Sequence, residues 1–391
     1  MSKYYSENYL FNILLLIWCI SIPFKNAVYQ ISTGLIVLFF LVYIVKYKDY
    51  IYFKELALRF KDLILAFFLI ILSMTISNFI NNVSKTDAWR TELMFIIRYA
   101  FPFIIFIYFY SKKFFKKNSL LLFIFISLVI QSIDGVYQSI LGYDFFKNNI
   151  GSLSAGLTGV TFNRNTFGLL MGLGSLISFI LLIKKQKLDI KAFFLFLLFV
   201  LFIYSGLFSY SRSSWLALFS CFIIYLIINF KSFRIKHLIY FSFTLLLIIS
   251  MFFNVDSLLN RLDLLLAGAS SNRDLLWLKA IELIQEKPIF GWGVDTWQLY
   301  GLRSYPGIHN SLLEISFFTG LFGLVSFLIF FFLILKTIFV NREWNLLLIV
   351  NYLFVVSQFD HNIFKSKIFL SVVVIFMFYT YLYRIDKYKK T

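Results

Sequence analysis

The sequence predicts an all-α integral membrane protein with about twelve transmembrane helices. Three observations carry that reading. The 391 residues are 60% hydrophobic and 21% aromatic with only 14% charged, a balance that water-soluble domains rarely sustain. Apolar runs recur from Leu10 to Tyr383, each near the roughly 20 residues a helix needs to cross the hydrocarbon core. Lys and Arg gather in alternate short loops between those runs, as the positive-inside bias requires.

Taken in order, the spans centre near residues of about 16, 36, 71, 102, 126, 174, 200, 222, 245, 322, 352 and 375. Phe24-Lys25-Asn26 follows the first run where a cleavable leader would carry small residues, so that run reads as a retained helix. Cys19 and Cys221 both fall inside spans and read as two buried thiols with no disulfide or metal role.

The net charge of +18 is explained by position and not by a nucleic-acid partner. With the N-terminus cytoplasmic, inside segments hold Lys46, Lys48, Lys54, Arg59 and Lys61, then Lys112, Lys113, Lys116 and Lys117, then Lys184, Lys185, Lys187 and Lys191. Later loops continue the bias, both termini come out cytoplasmic, and membrane lipids are the expected surroundings. No fixed-period repeat, linker or soluble domain interrupts the chain, so residues 1–391 read as one membrane domain.

The outward side receives one long loop, residues 254–310, and a segment from Gly135 to Arg164 rich in Gly and Asn. The latter suits a flexible substrate lip or a disordered connector. Within the long loop, Ser271-Asn272-Arg273-Asp274 reads as a helix start with Ser271 as N-cap; the helix runs to Glu286 and stops before Pro288 and Gly291. Trp277, Ile281 and Ile284 share one side, which lets this helix lie flat at the membrane interface. Trp292 and Trp297 fit either an interfacial aromatic belt or a small packed core beneath the loop.

Few polar groups on that side can do chemistry. Arg212, in Ser209-Tyr210-Ser211-Arg212-Ser213-Ser214-Trp215, stands between the seventh and eighth spans, where a guanidinium needs an anionic partner, water or a route to the interface. Arg273 opens a helix whose positive end disfavours a cation; a bound anion resolves that conflict, and a solvated loop charge is the plainer account. Two guanidinium forks could hold a diphosphate. His309, followed by Asn310 and Glu314, stands where the long loop re-enters the bilayer. Its imidazole could take a proton from a sugar hydroxyl or bond a phosphate, with Glu314 orienting it or pairing between helices. Asp360 and His361, before Lys365 and Lys367, are equally well read as solvated loop charges, and Arg98 as substrate-facing or paired within the bundle. There is no Walker-type loop, His-Glu-x-x-His, cysteine ligand set or outward Asp-x-Asp pair, so no metal or other cofactor is expected.

Three segments then resemble the O-antigen ligase and polymerase superfamily of bacterial membrane glycosyltransferases, in that family's order. They are Ser211-Arg212-Ser213-Ser214-Trp215-Leu216-Ala217; Arg273 through Trp277 to Pro288-Ile289-Phe290-Gly291-Trp292-Gly293; and His309-Asn310-Ser311-Leu312-Leu313 with Gly320 and Gly323. Thr161-Phe162-Asn163-Arg164-Asn165-Thr166-Phe167-Gly168 is similar to the family's Asn-x-Phe-Gly segment. Ser213-Ser214 departs from the family's Gly-Ala.

The resemblance implies a GT-C-like bundle with its site facing the periplasm, His309, Arg212 and Arg273 as catalytic residues, and Arg212, Arg273, Asn310, Glu314, Asp360 and Arg164 as substrate-binding. It also implies an O-antigen ligase of the bacterial inner membrane, moving a glycan from undecaprenyl diphosphate to a lipid A-core sugar hydroxyl with inversion and without a metal. An O-antigen polymerase is the nearest rival, although no arginine here has a glycine eleven positions later. A protein O-oligosaccharyltransferase and a polysaccharide flippase stand further off.

Overall fold

The computed structural model describes residues 2–24, 26–83, 85–148, 150, 156–185, 189–230, 242, 244–246, 248–251, 255–268, 272–302, 305, 307–359, 364 and 366–388. The named helices are α1 (Ser2–Ser21), α2 (Asn26–Tyr47), α3 (Tyr50–Arg59), α4 (Lys61–Ile80), α5 (Lys85–Ser111), α6 (Ser119–Leu141), α7 (Arg164–Lys184), α8 (Ile190–Phe208), α9 (Arg212–Asn229), α10 (Asp256–Leu266), α11 (Arg273–Glu286), α12 (Trp297–Tyr300), α13 (Ser311–Asn341), α14 (Trp344–Ser357) and α15 (Lys367–Tyr388). The bridge between Tyr143 and Ile150 is the sole β-type pairing among the described residues.

Eight helices among the described residues are long and apolar enough to cross a membrane: α2, α4 to α9 and α13. The spans expected near both ends of the chain and before its last turn are shorter apolar helices, Ser6–Ser21, Trp344–Ser357 and Lys367–Leu382. The ninth expected span is broken, with Thr244–Met251 and Asp256–Leu264 meeting at 99°. Counting that bent pair as one crossing gives nine, against the expected twelve. The sequence reading also took the basic segment after α2 for a loop; α3 occupies it and buries Leu56 while Ile51 and Leu58 stay exposed.

Pairing of helices follows apolar faces that meet others. α4 packs on α13, α5 on α15, α7 on α8, α9 on α14, and α1 on both α2 and α6. One hydrophobic cluster runs from Phe11 to Leu382, and Cys19 and Cys221 are buried free thiols within it. Three of the long helices start where a short polar side chain satisfies the first amides. Asn163 accepts from Asn165 N and Thr166 N before α7, Asp189 from Ala192 N before α8, and Asn310 from Leu313 N before α13.

The Gly- and Asn-rich segment begins later than the sequence suggested, because Gly135 is a buried residue of α6 and the helix stops only at Gly142, φ 81°. Gln138 Oε1 accepts from both Thr158 N and Gly159 N at 2.9 Å, Asp134 Oδ1 accepts from Phe145 N at 2.8 Å, and Lys147 Nζ donates to Val160 O at 2.7 Å. Side chains of α6 therefore peg the segment on both sides of residues 151–155, which lie outside the described residues.

One helix is deliberately interrupted. α13 breaks at Gly320, whose φ 64° and ψ −163° are open to glycine alone. In an unbroken helix the amides of Leu321 and Phe322 would bond the carbonyls of Phe317 and Phe318, four residues back. Here they bond Pro288 O (2.7 Å) and Ile289 O (3.2 Å), while Phe317 O and Phe318 O accept from Trp292 N (2.8 Å) and Gly293 N (3.0 Å). The segment 288–293 thus inserts as a strap and takes over these four backbone groups. α4 fastens it: Asn81 Nδ2 donates to Gly291 O, Asn78 Oδ1 accepts from Val294 N, and Ser77 Oγ donates to Phe318 O.

Candidate active site

Four helices bring Arg164, Arg212, Arg273, His309 and Asn310 to one end of the bundle. Gly168, in the first turns of α7, lies so close to the α8–α9 turn that a Cβ there would sit 2.6 Å from Ser209 Oγ. The N-termini of α7 and α9 are therefore neighbours, and the residue after each N-cap is an arginine, Arg164 and Arg212. α14 rises beside them: Cys221 Sγ donates to Leu348 O, Tyr352 Oη to Leu169 O, and Gln358 Nε2 to Ser311 Oγ at the start of α13. That climb carries His309 and Asn310 to the same end. α11 joins them through Trp277 Nε1, which donates to Ile308 O at 3.2 Å, and Asn272 Nδ2, which donates to Tyr305 Oη at 2.7 Å.

A shared backbone device marks these entries. Phe162, Tyr210, Asn272 and His309 all have positive φ, between 55° and 63°, within two residues of the starts of α7, α9, α11 and α13. A left-handed residue at a helix entry turns successive amides toward one side, an arrangement suited to anions. Arg164, Arg212 and Arg273 add guanidinium charge at three of those four entries.

Arg212 Nη1 donates to Leu264 O at 3.3 Å. That carbonyl lies in the last turn of α10, the negative end of its dipole, so part of the partner sought from sequence is main chain. α10 crosses the start of α9 with one face: Ser257 Oγ bonds Tyr210 Oη at 2.5 Å, Arg261 stands 5.6 Å from the Tyr210 ring centre, and Leu264 takes Arg212. Arg261 was missed by the sequence reading. Its signal was the spacing of 257, 261 and 264, the i, i+4, i+7 face of a helix. A Cβ at Gly156 would lie 2.9 Å from the Tyr210 ring and 3.6 Å from Arg164 Cδ, which places Arg164 beside the same tyrosine.

α11 has the expected bounds, and its protein-packed face is centred beside the Trp277, Ile281 and Ile284 side. Leu276, Ala280 and Leu283 are buried and α11 packs on α13, whereas Ile281 is exposed with Leu275 and Leu278. The small Ala280 sets the rotation by allowing close approach. The expected N-cap Ser271 lies outside the described residues, and Asn272 holds the cap position with no side-chain cap bond. Trp292 and Trp297 belong to a packed core: Trp292 Nε1 donates to Leu283 O, and Trp297, 2% exposed, donates to Tyr305 O and meets Phe317 edge-on.

Glu314 is 1% exposed on the face of α13 that turns inward, within electrostatic reach of Tyr99 on α5. Asp360 and His361 lie outside the described residues. Lys367, which follows that pair in the sequence, is the buried first residue of α15, its Nζ bonded to Phe24 O. Among the described residues no three His, Cys, Asp or Glu side chains gather as a metal site.

An apolar cavity of about 460 Å³ is lined by Gly168, Gly172, Ser214, Trp215, Phe219 and Ile248 among others. It begins within about a turn of both arginines along their helices and lies among α7, α8, α9 and the helix before α10. Compared with known families, residues 197–328 match the model of the O-Antigen ligase family. That stretch of the chain is similar to the O-antigen ligase family; it holds Arg212, Arg261, Arg273, His309, Asn310, Glu314 and the break at Gly320, and Arg164 lies before it. Members of this ligase family are membrane glycosyltransferase-like enzymes that handle lipid-linked glycans. No curated protein matches the chain.

Proposed function

We propose that this protein is an O-antigen ligase, which transfers a glycan from undecaprenyl diphosphate to a sugar hydroxyl of lipid A-core at the periplasmic face of the bacterial inner membrane. The observation that carries the reading is the apolar cavity whose walls include Gly168 and Ser214, within about a turn of Arg164 and Arg212 along their helices. A lipid diphosphate has this same order, a long apolar chain under a doubly charged head. Guanidinium forks on helix N-termini suit the head, and apolar walls suit the chain.

In this reading Arg212, Arg273 and Arg164 bind the diphosphate, with Arg261 reinforcing the charge beside Tyr210. His309 takes the proton of the acceptor hydroxyl as its oxygen attacks the anomeric carbon. The bond from that carbon to the diphosphate oxygen breaks, and the charge appearing on the leaving group meets the arginines, a stabilisation strongest in the transition state. Direct displacement inverts the anomeric centre. Asn310 and Asp360 are left to position the acceptor. The basic loops then face the cytoplasm together with both termini.

The test is a lipopolysaccharide gel of a deletion strain, followed by purified protein given lipid-linked glycan and lipid A-core. Loss of the ladder with intact core, and glycan joined to lipid A-core in vitro, is the expected outcome. Core carrying one repeat in the deletion strain would instead make the protein a polymerase.

A further inference from the structure

A second apolar cavity, of about 90 Å³, lies on the other side of α14 from the one near Arg164 and Arg212. Phe95 and Tyr99 of α5, Ile315 and Thr319 of α13 and Phe369 of α15 are among its walls. On α14 it is lined by Val350, Leu353, Phe354 and Ser357, the i, i+3, i+4, i+7 face of the helix, whereas Leu348, on the opposite face, lines the first cavity. One helix thus partitions two cavities.

The polar atoms in its walls are already engaged. The hydroxyls of Ser73, Thr319, Ser357 and Thr380 each donate to a carbonyl of their own helix, Ile70 O, Ile315 O, Phe354 O and Phe376 O in turn. Water entering there would find few partners, and an apolar cavity of this kind takes hydrocarbon guests instead. A guest also has a lateral way in. Phe327 and Phe331 of α13 and Val350 and Phe354 of α14 are half-buried lining residues along the seam between these helices, with the Phe331 and Phe354 ring centres 5.2 Å apart. Leu328 and Phe332, next to them on α13, are exposed, so in a membrane the seam adjoins lipid chains.

One end of this cavity reaches the candidate active site. Ser357 Oγ lies 3.0 Å from Ser311 Oγ, and Gln358 Nε2 donates to the same Ser311 hydroxyl at 2.7 Å. Ser311 follows Asn310 and stands two residues from His309. A chain held between α13 and α14 therefore directs its head group toward the start of α13, and it does so from the opposite side of α14 to a chain held near Arg212.

We propose that this second cavity holds an acyl chain of the glycolipid acceptor. That the occupant belongs to the acceptor rests on the ligase reading above; that it is hydrocarbon rests on the walls themselves. A reaction between two lipid-borne substrates needs two seats, and α14 keeps the chains apart while both head groups approach the same end of the bundle.

The test uses the full-length protein in nanodiscs with two probes that carry the same photoreactive acyl chain, lipid A-core and phosphatidylethanolamine, and with deacylated core oligosaccharide as a soluble acceptor. Lipid A-core should crosslink to the lining residues of α13 and α14, and phosphatidylethanolamine far less. Val350→Phe, at the seam, and Ile334→Phe, further along α13 in the same cavity, fill the space, each with a thermal melt as a folding control. Either variant should cut the crosslinking and raise the KM for lipid A-core about tenfold, the worth of roughly two buried methylene groups. The kcat, the KM for the undecaprenyl donor and the KM for the deacylated acceptor should stay unchanged. No lipid A-core crosslink in the wild type, an unchanged KM for lipid A-core in a variant with an unchanged melt, or an equal rise for the donor each overturns the site. Equal crosslinking by phosphatidylethanolamine overturns the acceptor assignment. A wild type that crosslinks lipid A-core as expected but transfers no glycan would remove the ligase reading and leave this lipid site standing.

Discussion

Gly291 and Gly320 meet backbone to backbone. A Cβ on Gly291 would lie 2.7 Å from Gly320 N and 2.6 Å from Phe317 O, and one on Gly320 would press into Ile289 and sit 2.5 Å from Phe290 N. Both have positive φ, 67° and 64°. The two glycines come from separate motifs of the sequence, and their contact lets the strap replace four helical hydrogen-bonding groups of α13. It also ties the end of α11 to the helix that carries Asn310 at its start.

Gly320→Ala should therefore destabilise the protein by about 1–3 kcal/mol, the usual range for a side chain forced into a glycine-only conformation or overpacked against backbone. Gly307→Ala is the control, since nothing lies within 4 Å of a Cβ there. Thermal melts in detergent should show a lower midpoint for Gly320→Ala and an unchanged one for Gly307→Ala. Equal midpoints would mean the strap can move aside.

The arginine cluster predicts graded losses. Arg212→Ala and Arg273→Ala should each abolish transfer, and Arg164→Ala and Arg261→Ala should each lower it by about 10–100-fold, the worth of one or two charge-assisted bonds. Lys184→Ala, at the far end of α7, should leave rates unchanged. Initial rates at matched membrane levels check this. Near-normal activity in Arg261→Ala would reduce that residue to packing on Tyr210.

Much of this arrangement was legible in the sequence because membrane helices announce themselves by length and composition, and capped starts by Asn or Asp. The span near residue 174 and the bounds of α11 needed nothing more. What could not be read was tertiary: which face of α11 an alanine would turn inward, or that Lys367 would be buried against Phe24. Pro288, Gly291 and Gly320 were visible as motifs, yet their meeting across nearly thirty positions of chain is a contact that local periodicity does not encode. The break before Asp256 was hidden for a related reason, since hydropathy averages over a bend.

The cavity near the arginines predicts a dependence on lipid length. Leu216 lines it and is 39% exposed, so Leu216→Trp should fold and fill part of the space. The KM for the undecaprenyl donor should rise several-fold, about 1 kcal/mol and the low end of what a misfitted apolar contact costs, while a donor with a short prenyl chain should be little affected. Equal effects on both donors would place the apolar chain elsewhere.

His309 stands in left-handed backbone, φ 55°, immediately before the Asn310 cap. That conformation disfavours most side chains, and the capped helix behind it fixes where the imidazole starts. If the ring accepts the acceptor's proton, it must be neutral to act. Transfer should then fall at acid pH, because a protonated ring has no lone pair to offer. His309→Ala should abolish transfer. His309→Gln, which can bond but cannot take up a proton, should leave a low rate without this acidic limb, while binding of undecaprenyl diphosphate stays unchanged. A variant that keeps the limb would move the titrating base to another residue, and one that loses donor binding would make His309 a ligand of the diphosphate instead.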